Sequence, residues 1–138
     1  MAAALVYAPG GDARVVFSSR AGSYDTESLI EFLTELHVEL GGEKVTLIWD
    51  GLTSHRSKVM RAFVASQRHW LVTERLPAYA PDLNPVELLW GNLKASELAG
   101  LCADTIGELE SAARGGVDRI RNESQLALSF LRHTGLSL

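Results

Sequence analysis

The order of apolar runs along the chain predicts an α/β fold, a mixed sheet flanked by helices. Three observations predict it. Residues 45–49, Val-Thr-Leu-Ile-Trp, form a run of the kind found in a strand buried on both faces. Just before it, Leu29, Ile30, Phe32, Leu33, Leu36 and Leu40 recur at helical spacing. Nearer the start, two short apolar stretches, 3–8 and 14–19, are divided by Pro9-Gly10-Gly11-Asp12, which reads as a hairpin turn.

The elements follow in order. The hairpin comes first. Asp25 or Thr26 caps the first helix and Gly41-Gly42 ends it. The strand 45–49 follows. Residues 57–67 return to helical spacing through Val59, Met60, Phe63 and Val64, and 70–73 read as another short strand. A proline-rich loop spans 77–85. Pro85 suits the first turn of the next helix, whose apolar face is Leu88, Leu89, Leu93 and Leu98. Asp104 or Thr105 caps a helix running towards Arg114 and interrupted at Gly115-Gly116, with further helical signal over 117–122 and 125–131. The tail, 133–138, reads as frayed. We expect a single domain over 1–138, with a core at about 3–99 and a helical C-terminal region at about 104–131.

With 138 residues, 46% of them hydrophobic and 22% charged, the chain has ordinary globular composition and can bury a sizeable core. Its 13 Lys and Arg against 17 Asp and Glu give a formal net charge of -4. That argues against an autonomous DNA-binding domain, which usually carries a basic balance. The single cysteine, Cys102, excludes an internal disulfide and a cysteine-rich zinc site, and reads as a small buried apolar group. The apolar start is too short for a signal peptide, and no run reaches membrane-span length, so a soluble cytoplasmic protein is expected.

Two carboxylates stand out. Asp50 ends the strand 45–49. Taken alone, it reads first as a cap of the following turn. Its second reading is a metal or substrate ligand, because the carboxyl ends of strands in open α/β sheets form the functional crevice. Glu87 falls near the third position of the helix that starts at Pro85. It reads as a partner of the helix dipole or a capping box, or as a carboxylate held in the first turn and aimed back at the sheet edge. Around them, His55 reads as an orienting group or a surface histidine, and Asn84 as a loop and helix-start residue. Lys94 reads as a phosphate contact or a solvated lysine. Trp90, three residues after Glu87, shares its face and reads as core. Arg56, Lys58, Arg61 and Arg68 surround the second helix, as DNA-backbone contacts or a charged outer face. Arg114, Arg119 and Arg121 read as solvated.

The whole segment narrows these alternatives. It runs Leu47-Ile48-Trp49-Asp50-Gly51-Leu52-Thr53-Ser54-His55-Arg56-Ser57, then Leu76-Pro77-Ala78-Tyr79-Ala80-Pro81-Asp82-Leu83-Asn84-Pro85-Val86-Glu87-Leu88-Leu89-Trp90. This resembles the signature of mariner-like DDE transposases, in particular the bacterial insertion-sequence type. There a strand ends in Asp with His and Ser nearby. A leucine-proline-x-tyrosine-x-proline-aspartate-leucine-asparagine-proline-x-glutamate-x-x-tryptophan run follows. Asp50 and Glu87 match the second and third acids, with residues 51–86 between them. The likeness in element order covers about 3–99 and is sharp over 47–94.

The resemblance implies a ribonuclease H-like fold and metal-dependent DNA cleavage followed by strand transfer. It also implies Mg²⁺ or Mn²⁺ held by Asp50 and Glu87, with His55, Asn84 and Lys94 in support. The family's first acid lies on a first strand upstream of the hairpin. Asp12 and Asp25, the two aspartates before Asp50, fall in a turn and a helix cap. The domain is therefore expected to be truncated at the N-terminus and inactive alone, with weak metal binding. An upstream transposase polypeptide would complete it, with DNA as the substrate of the assembly. The alternative is a non-enzymatic fragment that forms a homodimer or binds an intact transposase through an exposed sheet edge.

Overall fold

The structure, a computed structural model, describes residues 1–20, 22–78, 80–102 and 104–135. They form four strands and five α-helices in the order β1 (Ala2–Tyr7), β2 (Ala13–Ser18), α1 (Thr26–Glu39), β3 (Val45–Trp49), α2 (Lys58–Ser66), β4 (Leu71–Arg75), α3 (Pro85–Ala95), α4 (Ile106–Asn122) and α5 (Ser124–His133). Two short 3₁₀ turns, Thr53–His55 and Pro81–Leu83, precede α2 and α3. Among the described residues the strands form two ladders. β1 pairs antiparallel with β2, and β3 pairs parallel with β4. The α/β class read from the sequence holds.

The chain divides into two compact units, Met1–Ala21 with Asp82–Leu138, and Gly22–Pro81. The first is built on the hairpin. Its turn closes through Gly11 N–H to Ala8 O and Ala8 N–H to Asp12 O, both 2.9 Å, with Gly11 at φ 92°, a conformation glycine adopts without strain. Val15 of β2, Leu89 and Leu93 of α3, Val117 and Ile120 of α4 and Phe130 of α5 make one buried cluster. Burying each such side chain contributes roughly 1.5–3 kcal/mol. Tyr7 ties the hairpin to α5: its hydroxyl donates to Ala127 O at 2.8 Å, and burial pushes the phenol pKa up to about 12.

α4 is one unbroken helix through Gly115 and Gly116, where the sequence predicts an interruption. Packing explains the difference. Gly116 is buried, and a Cβ there would collide with Leu93 Cδ2 and stand 2.6 Å from Glu97 Oε2. The missing side chain lets α4 approach α3 closely, and that packing offsets the roughly 1 kcal/mol that glycine costs a helix. Arg119 lies one turn on and clasps Glu97 through Nε and NH2, while NH2 also donates to Asn92 Oδ1. The Arg119 guanidinium holds the Glu97 carboxyl below the usual carboxylate range. Arg121 donates to Val15 O at 3.1 Å, and Arg114 pairs with Glu110 and sits over the Phe17 ring. Arg114 and Arg121 remain exposed, as the sequence reading expects, whereas Arg119 is half-buried in its clasp.

In the second unit, Asp25 caps α1 by accepting from Ser28 N–H at 2.8 Å, and Ser57 caps α2 by accepting from Met60 N–H at 3.2 Å. Phe32, Leu33 and Leu36 of α1, Met60 of α2 and Leu71 of β4 are buried. β3 is not covered on both faces. Val45, Leu47 and Trp49 are half-buried while Thr46 and Ile48 are exposed, as is Val72 of β4. Successive side chains of a strand point to opposite faces, so this ladder has an inner and an outer side.

Cys102 is exposed, against the sequence expectation. It falls between α3 and α4, where no amphipathic face carries it inward. Tyr79 of the quoted motif and residues 136–138 of the tail lie outside the described residues.

The close packing at Gly116 is open to test. Gly116→Ala should destabilise the protein by about 1–2 kcal/mol, because overpacking against buried Leu93 exceeds the gain in helix propensity. Gly115→Ala, where the added Cβ meets nothing within 4 Å, should stabilise by up to ~1 kcal/mol. Equal effects of the two in urea denaturation would contradict this account.

Candidate active site

Asp50 stands one residue beyond β3, at the carboxyl end of the parallel ladder. Leu76 N–H donates to Trp49 O at 2.8 Å, so the pairing continues to the point where Asp50 leaves it. Asp50 Oδ1 accepts from Leu52 N–H at 3.1 Å, which turns the chain sharply towards the Thr53–His55 turn. His55 comes back to the same carboxylate. Its Nδ1 lies 3.0 Å from Asp50 Oδ1 and 3.0 Å from Asp50 O. Both are acceptors, which requires the proton on Nδ1. The imidazole is stacked on Trp49, with ring centroids 4.4 Å apart and planes 7° apart.

The result is a closed local arrangement. The Trp49 ring fixes the His55 plane, His55 and the Leu52 amide hold Oδ1, and the Asp50 side chain stays 46% exposed while that of His55 is 13% exposed. Among the described residues these hydrogen bonds engage Oδ1 and not Oδ2. The capping role read from the sequence therefore occupies one carboxylate oxygen and not the other.

Glu87 belongs to the other unit. Asn84 is the N-cap of α3, its Oδ1 accepting from Val86 N–H at 3.2 Å, and Pro85 is the first helical residue. Glu87 is thus the third, and it is exposed. Leu89 and Leu93 turn the opposite side of α3 into the core, being 0% and 1% exposed. Glu87, Trp90 and Lys94 line a depression of about 260 Å³ together with Met1, Leu93 and Leu98. Trp90 is half-buried against the core cluster, and Lys94 is exposed.

The structure thus brings His55 onto Asp50 within one unit, and Glu87 beside Trp90 and Lys94 within the other, with Asn84 as the cap that starts α3. Among the described residues no three His, Cys, Asp or Glu side chains gather as a metal-binding group. The donors are nevertheless of the right chemistry for Mg²⁺ or Mn²⁺: hard carboxylate oxygens, accessible to water. Mg²⁺ takes one or two carboxylates and retains several waters.

One residue near Asp50 escapes the sequence reading. Arg75 pairs with Trp49 in the parallel register, and a Cβ on Gly51 would stand 3.3 Å from Arg75 Cδ and 3.9 Å from its Nε. Its side chain therefore lies against Gly51, next to Asp50. The signal was the strand register, which no local spacing reveals.

With this geometry described, comparison with known proteins adds the family. The DDE superfamily endonuclease model matches residues 4–110, so the chain belongs to that superfamily. No curated protein matches it. The match spans both Asp50 and Glu87. Superfamily membership carries the general class of a nuclease- or transposase-like catalytic domain that acts on DNA and uses divalent metal ions. No helix among the described residues is long and apolar enough to cross a membrane.

The Asn84 cap positions Glu87, and its removal is measurable. Asn84→Ala should cost about 0.5–2 kcal/mol in chemical denaturation, and Asn84→Asp much less, because aspartate caps equally well. Equal losses in both variants would show that the side-chain cap is not what starts α3.

Proposed function

We propose that the chain is part of the catalytic domain of a mariner-like transposase of the bacterial insertion-sequence type. Asp50 and Glu87 act as metal-binding acids in cleavage and strand transfer of DNA. The observation that carries this reading is the pairing of two features in one DDE superfamily chain. One is an aspartate at the carboxyl end of a parallel strand, oriented by a histidine five residues on. The other is a glutamate in the first turn of a helix opened by Asn84-Pro85.

Phosphodiester cleavage builds negative charge on the attacked phosphate and on the leaving oxygen. Divalent cations, when bound, activate the attacking oxygen and stabilise the leaving one. The chain's own residues supply the ligands and their alignment. Asp50 offers Oδ2 while His55 and the Leu52 amide restrain Oδ1, and orienting a ligating carboxylate by hydrogen bonds raises its effectiveness. Glu87 is held by the cap and by the buried leucines behind it. Lys94, on the same depression, offers positive charge to a phosphate.

On this reading residues 1–138 supply two of three acids. β1 and β2 carry neither aspartate nor glutamate. The third acid comes from another polypeptide segment, so the 138-residue chain does not cut DNA alone.

The test is Mn²⁺-dependent cleavage of element-end DNA by the chain alone and mixed with the polypeptide encoded immediately upstream. Cleavage is expected only in the mixture and should disappear with Glu87→Ala. No cleavage in the mixture, while an intact relative cuts the same DNA, would overturn the reading and leave a decayed or regulatory fragment. Cleavage that survives Glu87→Ala would overturn the assignment of the acids.

A further inference from the structure

The charge of the chain is unevenly distributed. Over residues 51–81 there are five cations, Arg56, Lys58, Arg61, Arg68 and Arg75, and one acid, Glu74, although the whole chain carries -4. All five cations are exposed, and among the described residues none of them takes part in an ion pair. Elsewhere arginines are engaged, Arg119 with Glu97, Arg114 with Glu110 and Arg121 with Asp118. A cluster of unpaired, same-sign charges raises the free energy of the isolated protein through mutual repulsion, and a polyanion relieves it.

The cations are also arranged. α2 turns Met60 inward, with Phe63 and Val64 half-buried beside it. Lys58, Arg61, Ala62 and Ala65 follow the i, i+3, i+4, i+7 spacing of a single outer face, and all four are exposed. α2 contains no acidic residue. The two alanines that follow them on this face add little bulk, so a backbone can approach closely. This face begins at Asp50. The Thr53–His55 turn leads from Asp50 straight to Arg56 and Lys58, and on the other side of Asp50 the Arg75 side chain lies against Gly51.

We propose that Arg56, Lys58, Arg61 and Arg75 form a phosphate-binding surface that lays the backbone of duplex DNA alongside Asp50. The inference rests on the DDE reading for the identity of the polyanion. The surface itself follows from the charges, their exposure and their spacing. Arg75 and Arg56 flank the aspartate and hold the nearest phosphates. Lys58 and Arg61 carry the backbone onward along α2. All four bind phosphates, so they position DNA without reading its sequence.

The test is binding of a fluorescent 30-base-pair DNA duplex to the 138-residue chain in EDTA, where metal-dependent cutting does not contribute, across a series of salt concentrations. The triple variant Lys58→Gln/Arg61→Gln/Arg75→Gln should bind more weakly at every salt concentration. Its plot of log affinity against log salt should flatten by about 0.9 for each phosphate that the variant no longer neutralises. Arg132→Gln, which removes an exposed cation from α5, should leave the slope unchanged. All these side chains are exposed, so the melting temperatures should remain close to that of the unsubstituted chain. An unchanged slope in the triple variant, an equal loss in Arg132→Gln, no DNA binding by the unsubstituted chain, or tighter binding to phosphatidylserine vesicles than to DNA would each overturn the proposal. Failure here is distinct from failure of the catalytic reading, which is decided by cleavage in the completed mixture.

Discussion

The parallel register of β3 on β4 determines what stands at the candidate site. Val45 faces Leu71 and Trp49 faces Arg75, with the strands in step between them. Leu71 is 1% exposed and its neighbour Val72 is 53% exposed. A slip of one residue would bring Val72 inward and turn Leu71 to water, reversing both faces of the strand. Burial of one leucine is worth roughly 1.5–3 kcal/mol, so the register is held firmly. Its consequence appears one residue later. Asp50 leaves the ladder where β4 delivers Arg75, and the glycine between them leaves room for the arginine side chain. Trp49, the last strand residue, supplies the ring on which His55 stacks. Hydrophobic burial inside the unit thus fixes a carboxylate, a histidine and a cation at one strand end.

The placing of Glu87 depends on a different constraint. α3 is held by Leu89 and Leu93, and the absence of a side chain at Gly116 lets α4 lie close behind it. The Arg119–Glu97–Asn92 clasp links the two helices. Partly exposed ion pairs of this kind contribute little by themselves. The clasp acts mainly to orient, while the buried leucines supply most of the stability. With α3 fixed in rotation, Glu87, Trp90 and Lys94 share the opposite depression. In both units apolar packing sets the direction in which a polar group points.

Much of this was legible in the sequence, and the parts that were not share a cause. β3, the cap of α1, the Pro85 start of α3 and the hairpin turn follow from local spacing and cap chemistry. The end of β4 did not. Glu74 and Arg75 are both exposed, so no apolar alternation marks them as strand. The continuity of α4 was hidden because Gly115-Gly116 signals a break locally, while a distant leucine and glutamate make glycine the residue that fits. The buried-on-both-faces reading of β3 failed because a run of Val, Leu, Ile and Trp says how apolar a strand is but not how many layers cover it. Cys102 was assigned inward by residue type, without an element to take it there. The candidate residues Asp50, Glu87, His55, Asn84 and Lys94 were singled out through the motif. Arg75 was not, since its neighbourhood is created by pairing between strands far apart in the chain.

We propose that Asp50 and Glu87 are each metal ligands. The most direct measurement is Mn²⁺ titration of the 138-residue chain followed by electron paramagnetic resonance, compared with Asp50→Ala, Glu87→Ala and the double variant. The account predicts weak Mn²⁺ binding that each single substitution reduces and the double variant removes. Binding that neither substitution changes would contradict it.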